Sequence, residues 1–295
     1  MVVYLVKKYI EINNKKICGC SDKHIACLSA KEWMHNQIGV WSFKYEKRDI
    51  RKKDLHPATF PIDMAKRIIQ QFTHAGELVL DPFVGSGTTL VAAKDLLRNA
   101  VGFDLKEDYI KLADKRLAQI DIESIVSDTK QITVLDDARN IKEYMKKDTV
   151  KLVFTSPPYA NLLNRRRKNK SRRGNLRKNE QYDEIEQYSQ DPRDLGTMEQ
   201  SEFEKAIYQI FKTIRPLIVK RGHCVINITD MWADNMRIPL HINVVNAMTK
   251  AGYELRNTII WDRRNIVNGI GIFGYPSNYI TMGTTFEYIL DFWNP

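Results

Sequence analysis

Little in this chain would serve a disulfide-built or membrane-spanning protein. Four cysteines in 295 residues are too few for a disulfide scaffold, and a reducing cytosol suits them better. No apolar run approaches the length of a membrane span. Met1-Val2-Val3-Tyr4-Leu5-Val6 gives way at once to Lys7 and Lys8, so no signal peptide is expected. Internal repeats are absent. Two familiar phosphate loops are missing as well. Gly85-x-Gly87-x-x-Leu90 lacks the third glycine of a dinucleotide fingerprint, and no Gly-Lys-Ser/Thr comes after it as a P-loop requires. What remains is globular: at 43% hydrophobic residues the chain can bury a large core, as one domain or a domain with appendages.

Cys18, Cys20, His24 and Cys27 are potential soft ligands within ten residues. Their C-x-C-x3-H-x2-C spacing is not that of a standard structural zinc site, and loops this short strain tetrahedral geometry. Ordinary thiols, and no metal, are expected.

Two segments carry chemistry. Glu77-Leu78-Val79-Leu80 reads as a buried strand running into Asp81-Pro82-Phe83-Val84-Gly85-Ser86-Gly87-Thr88-Thr89, and then into Leu90-Val91-Ala92-Ala93-Lys94, a helical run. Strand, Gly-rich turn, helix is the first half of a nucleotide-binding unit. Gly85 and Gly87 permit a tight turn and close ligand approach; Thr88 or Thr89 can cap the helix. Further on, Lys151-Leu152-Val153-Phe154 reads as a strand ending at Thr155-Ser156-Pro157-Pro158-Tyr159. The prolines stop the strand and stiffen the backbone beyond it. The Ser156 hydroxyl and the Pro157 carbonyl are acceptors and Tyr159 is a flat aromatic surface, a combination suited to a planar ring carrying an exocyclic amine. A Pro-Pro turn after a strand is the plainer reading of the pentapeptide taken alone.

Together the segments resemble the amino-group DNA methyltransferases that use S-adenosylmethionine, over about His56 to Phe292. Asp81, Phe83, Gly85, Gly87 and Thr88 fall on that family's cofactor loop, and Ser156, Pro157, Pro158 and Tyr159 on its catalytic loop. His56-Pro57-Ala58-Thr59-Phe60-Pro61 is similar to the segment that helps hold the methionine end. Trp261-Asp262-Arg263-Arg264-Asn265 resembles a late W-x-K-x-N element with Arg263 for Lys, and Phe286-Glu287-Tyr288-Ile289-Leu290 the last core strand. In many relatives the catalytic loop comes first; here the cofactor half leads, a circular rearrangement that leaves the site intact. With about fifty residues before His56 and none after Pro295, a large target-recognition domain is not expected.

Other elements emerge from pattern. Met64, Ile68, Ile69 and Phe72 have helical spacing. Val101-Gly102-Phe103-Asp104 reads as a strand ending in an acid at the spacing where a carboxylate holds ribose hydroxyls. Ile132-Thr133-Val134-Leu135 reads as a third strand ending at Asp136-Asp137; in the family a polar residue there faces the adenine, and the choice between the two stays open. Each acid has a helix cap as its alternative. Helices over Tyr109–Ile120, Phe203–Leu217 and Ile238–Lys250 alternate with strands at His223–Ile228, Ile259–Trp261 and Tyr288–Phe292. Alternation implies an α/β fold with a doubly wound, mostly parallel sheet. The resemblance makes it a Rossmann-like class I methyltransferase with one late antiparallel strand. Residues 1–55 are expected as an N-terminal extension and 56–295 as the catalytic domain, with a basic insertion at about 163–200.

The net charge of +10 comes from 46 basic and 36 acidic residues. Nine of the bases, Arg165, Arg166, Arg167, Lys168, Lys170, Arg172, Arg173, Arg177 and Lys178, stand in one run that no acid interrupts. Removing them leaves 37 bases against 36 acids, so one segment beside the Pro-Pro loop holds almost all the excess. It reads as a phosphate clamp on a polyanion, the alternative being a solvated insertion. Asn268-Gly269-Ile270-Gly271-Ile272-Phe273-Gly274-Tyr275-Pro276 is a second candidate contact with nucleic acid.

The resemblance implies methyl transfer to the amine of a flipped base in double-stranded DNA. N4 of cytosine is expected because Ser at the loop's first position is commoner among the cytosine enzymes; adenine N6 and RNA are the alternatives, and a non-catalytic nucleic-acid binder is a more distant one. No cysteine adjoins a proline as methylation of a ring carbon would need. A cytoplasmic location, a cognate restriction endonuclease as partner and no membrane contact complete the expectation.

Overall fold

Short apolar runs punctuated by acids and glycines build the centre of the molecule. The structure is a computed structural model, describing residues 9–12, 14–21, 26–50, 59–119, 128–159, 191–233, 236–266 and 284–295. Strands β2 (Leu78–Asp81), β3 (Asn99–Asp104), β4 (Gln131–Leu135), β5 (Val150–Thr155) and β6 (Ile218–Ile228) lie parallel in the spatial order β4-β3-β2-β5-β6. Beyond β6 come β10 (Phe286–Trp293), antiparallel to both its neighbours, and β9 (Glu254–Asp262). The expected late antiparallel strand is therefore present. The chain fills one half of the sheet with β2, β3 and β4, then returns to the other side of β2 with β5. Ligands in open α/β sheets bind outside the carboxyl ends of the strands at such a reversal.

Successive residues of the inner strands point to opposite faces, and both faces are apolar, as parallel strands covered on both sides require. Val79, Leu152, Phe154 and Val225 meet helices α2 (Ile62–Phe72) and α3 (Thr88–Asp95). Leu80, Val153, Cys224 and Ile226 meet α5 (Gln200–Ile214) and α6 (Leu240–Lys250). Helix α4 (Glu107–Leu117) follows β3 and buries Tyr109 and Ala113.

Within the segment 1–55, read from sequence as an extension, residues 40–42 join this sheet. After the short helix α1 (Ala30–His35), β1 (Val40–Ser42) forms the outer edge, parallel to β9, with Val40 opposite Ile260. Trp41 is buried among Phe43, Ile259 and Trp261. A hairpin of β7 (Met231–Ala233) and β8 (Met236–Ile238) stands apart. Among the described residues no helix is long and apolar enough to cross a membrane.

Candidate active site

The Gly-rich loop is held by groups behind it. Gly87 is the N-cap of α3, with φ of 81°, and a Cβ there would lie 2.8 Å from the Ala113 Cβ. Both the left-handed backbone and the contact with α4 demand glycine. Thr88 and Thr89, expected as caps, are already helical; the Thr88 Oγ1 and the Ser86 carbonyl instead accept from Arg116 Nη1 at 3.1 and 2.6 Å. At the front, the Gly85 N–H donates to Asp104 Oδ2 and the Lys106 N–H to Asp104 Oδ1, both at 2.9 Å. Burial pushes the Asp104 carboxyl up to about 7 against the lowering effect of those N–H donors.

The Pro-Pro loop leaves the neighbouring strand at the same end. The Thr155 hydroxyl donates to Asp81 Oδ1 at 2.6 Å, and the Phe83 N–H donates to the same oxygen at 3.1 Å. Asp81 is only 1% exposed, and burial lifts its carboxyl to about 6. One carboxylate thus joins the turn after β2 to the turn after β5. Tyr159 is buried; its hydroxyl donates to Glu287 Oε2 at 3.4 Å and lies 3.4 Å from Ser156 Oγ. Glu287 also accepts from Asn227 Nδ2 at 2.6 Å and pairs with Arg263, whose guanidinium lies over the Trp261 ring.

Between the loops lies a cleft open to solvent. Phe83 and Gly85 line it from one loop and Ser156, Pro157 and Pro158 from the other, with Asp104, Asp136 and Asp137 on the floor. Asp136 accepts from the Asp137 N–H, Asn140 Nδ2 and the Tyr144 hydroxyl at 2.7, 2.9 and 2.7 Å. Burial would raise its carboxyl, but these donors hold it below its ordinary value. Asp137 caps the turn at Arg139 and pairs with the Arg139 guanidinium at 2.6 Å.

The sequence model of the DNA methylase family matches residues 3–115 and 150–294. The chain belongs to this family. A second model, the D12 class N6 adenine-specific DNA methyltransferases, matches residues 63–209. Type II methyltransferase M2.DpnII of Streptococcus pneumoniae is 44% identical over 78 residues, 26% of this chain and 29% of that protein. Type II methyltransferase M.BglI of Bacillus subtilis is 40% identical over 91 residues, 30% of this chain and 25% of that protein. The matches thus span under a third of these relatives' length. TrmN of Thermus thermophilus aligns with a TM-score of 0.49 at 14% identity, over 83% of this chain and 52% of that one.

In this member of the family the cleft gathers eight of the residues named from sequence. Asp81, Gly87, Thr88 and Tyr159 are not on its wall: the first three brace the Gly-rich loop, and the Tyr159 ring, expected as a stacking surface, packs into the core. His56, Pro57, the basic residues from Arg165 to Lys178 and the late Gly-rich stretch from Asn268 to Pro276 lie outside the described residues. Tyr109, Ala138, Arg193, Asp194 and Leu195 line the cleft although no sequence motif marks them. The last three close the expected basic insertion, where a short ordered turn is masked by the density of charge upstream. Glu287 and Asn227 were legible only as strand residues.

Proposed function

We propose that this protein transfers a methyl group from S-adenosylmethionine to the exocyclic amine of a base flipped out of DNA, with N4 of cytosine as the target. What supports it is the meeting of two loops of different chemistry at one strand reversal: a glycine turn with a carboxylate floor, and a proline-stiffened turn carrying amine acceptors. The residues present suit the cofactor. Asp104 uses one lone pair of each carboxylate oxygen on backbone N–H groups and keeps the other two; they would accept the ribose hydroxyls. The turn before α3 suits the cofactor's carboxylate, because helix N-termini favour anions. Bound there, the cofactor supplies a methyl on a cationic sulfur. An aromatic amine is a poor nucleophile because its lone pair is delocalised into the ring. Ser156 Oγ and the Pro157 carbonyl accept hydrogen bonds from its N–H groups and favour the pyramidal form, so catalysis is positioning and electrostatics. A cytoplasmic site of action on double-stranded DNA, with a cognate restriction endonuclease, goes with this reading.

Mass spectrometry of nucleosides from DNA incubated with enzyme and labelled cofactor tests it: label in N4-methyldeoxycytidine is expected. Label confined to N6-methyldeoxyadenosine would shift the target to adenine, the reading favoured by the match to the adenine-specific class. Label in RNA alone would overturn the DNA assignment.

Two further outcomes are expected. Hydroxyl donors favour the ionised Asp104 carboxylate, so cofactor binding should release a proton near pH 6.5 and affinity should fall as pH drops below about 7. Calorimetry in buffers of different ionisation enthalpy reads this directly. Asp104→Asn should bind about ten- to hundred-fold more weakly and lose the pH dependence; an unchanged profile would remove Asp104 from the site. The run from Arg165 to Lys178 is assigned to backbone phosphates. Neutralising Arg165, Arg166, Arg167 and Lys168 should flatten the slope of log affinity against log salt by about 3–4, at equal cost for all DNA sequences; an unaltered slope would make the run a solvated insertion.

A further inference from the structure

At the other end of the sheet the chain builds a second cluster that the methyl-transfer reading does not use. Cys18, Cys20 and Cys27 converge on His74, with the four donor atoms all within 4.8 Å of one another. His24, the histidine inside the sequence cluster, lies outside the described residues; the fourth donor comes instead from the turn between α2 and β2. The expectation of ordinary thiols rested on spacing along one short segment, and the fold supplies the missing ligand from 47 residues beyond Cys27.

The distances from His74 to two of the sulfurs match a tetrahedral metal. With Zn–S near 2.3 Å and Zn–N near 2.0–2.1 Å, a tetrahedron places sulfur and nitrogen about 3.6 Å apart. His74 Nδ1 lies 3.4 Å from Cys18 Sγ and 3.7 Å from Cys27 Sγ. All three sulfurs are free thiols. Three soft sulfurs and an imidazole in this arrangement select zinc over the hard oxygen-seeking cations.

The surroundings are built to hold the donors. The Ala75 N–H donates to Cys27 Sγ at 3.4 Å. The Ile17 N–H donates to the Ala75 carbonyl at 2.9 Å, which docks the segment carrying Cys18 on the turn carrying His74. Gly76 makes that approach possible: its φ is +87°, and a Cβ there would lie 2.2 Å from the Lys15 carbonyl. Zinc with three thiolates carries a net negative charge, and the buried Arg98 guanidinium lies beside Cys27, held by Thr73 and the Leu96 carbonyl.

We propose that Cys18, Cys20, Cys27 and His74 bind one structural zinc ion that fastens the N-terminal segment to the amino end of β2. β2 itself, roughly 13 Å long at about 3.3 Å per residue, separates this ion from the cleft, and all four positions are taken by protein. The metal therefore has no open site for substrate and acts on folding.

The test is metal content of the full chain, purified without a histidine tag or chelator and equilibrated with zinc under reductant. About one zinc per chain is expected, falling below about one-tenth in Cys27→Ser and in His74→Ala, while Cys224→Ala, at a cysteine buried elsewhere, keeps it. Should the ligand variants fail to fold, the wild-type chain decides: cobalt exchange should give the visible bands of a tetrahedral centre and a thiolate charge-transfer band. Zinc-free wild-type protein after equilibration, an octahedral cobalt spectrum, an intact mass two daltons low from a disulfide, or full zinc in Cys27→Ser would each overturn the assignment. Cofactor binding measured alongside separates the two readings, since methyl transfer can fail with zinc in place and the reverse.

Discussion

Replacing Glu287 with alanine should destabilise the protein by about 2–4 kcal/mol and abolish detectable methyl transfer. Glu287 is a buried acceptor for three donors from three places: Asn227 on β6, Arg263 after β9 and Tyr159 on the Pro-Pro loop. Removing it takes the acceptor from an amide and a guanidinium and releases one tie on the Tyr159 hydroxyl. Breaking a fully buried ion pair costs about 3–5 kcal/mol; the Arg263 side chain is 28% exposed, so the cost here is discounted for solvent screening. At this chain length the loss corresponds to a fall in Tm of roughly 3–7 °C, readable by calorimetry. Glu287→Gln keeps the shape but offers one acceptor and a misplaced N–H₂ group, so it should lie between wild type and alanine. A Tm and activity unchanged in both variants would show that Glu287 does not anchor the loop.

Ser156→Ala is expected to lower kcat for methyl transfer by about 10²–10³-fold, the usual effect of deleting one positioned polar group at a reacting centre. Cofactor affinity and Tm should stay near wild type, because the side chain is small, only partly buried, and lines the cleft. The more obvious target, Tyr159, is a poorer probe. Its ring is buried in the core cluster, so alanine there would open a cavity costing about 3–5 kcal/mol and confuse chemistry with folding. Tyr159→Phe, which removes only the hydroxyl facing Glu287, separates the two. A Ser156→Ala enzyme that remains fully active at saturating DNA would leave the backbone carbonyl as the sole acceptor.

The parts of this molecule that local chemistry dictates could be read from the sequence. Apolar runs leading to Asp81, Asp104 and Asp136 are strands, and these acids, at the strand's end or directly after it, reach the cleft or brace its wall; Ser156 comes directly after β5 as the proline pair requires. The parts that needed topology could not. His74 sits in an ordinary helix-to-strand turn and gains a meaning only when Cys18, Cys20 and Cys27 are brought against it. Glu287 reads as a strand residue; its three partners are set by the order of β6, β10 and β9. Val40-Trp41-Ser42 is too short for periodicity to identify as a strand. Thr88 carries a capping side chain, yet Gly87 takes the cap because the neighbouring α4 leaves no room for a Cβ.

The pairing of Val40 with Ile260 also sets an order of events during synthesis. The early strand has no partner in the sheet until some 220 residues later, when β9 leaves the ribosome. At about 5–20 residues per second that interval is on the order of 10–40 s. Through it Trp41, buried in the finished molecule, stays without its cover from Trp261 and Ile259. The anchorage of Cys18, Cys20 and Cys27 on His74 needs only residues already made by then, so the leading segment is tethered locally and waits near its place. Its edge strand is three residues long and pairs with β9 alone, which makes that edge the first element expected to open when the folded chain breathes.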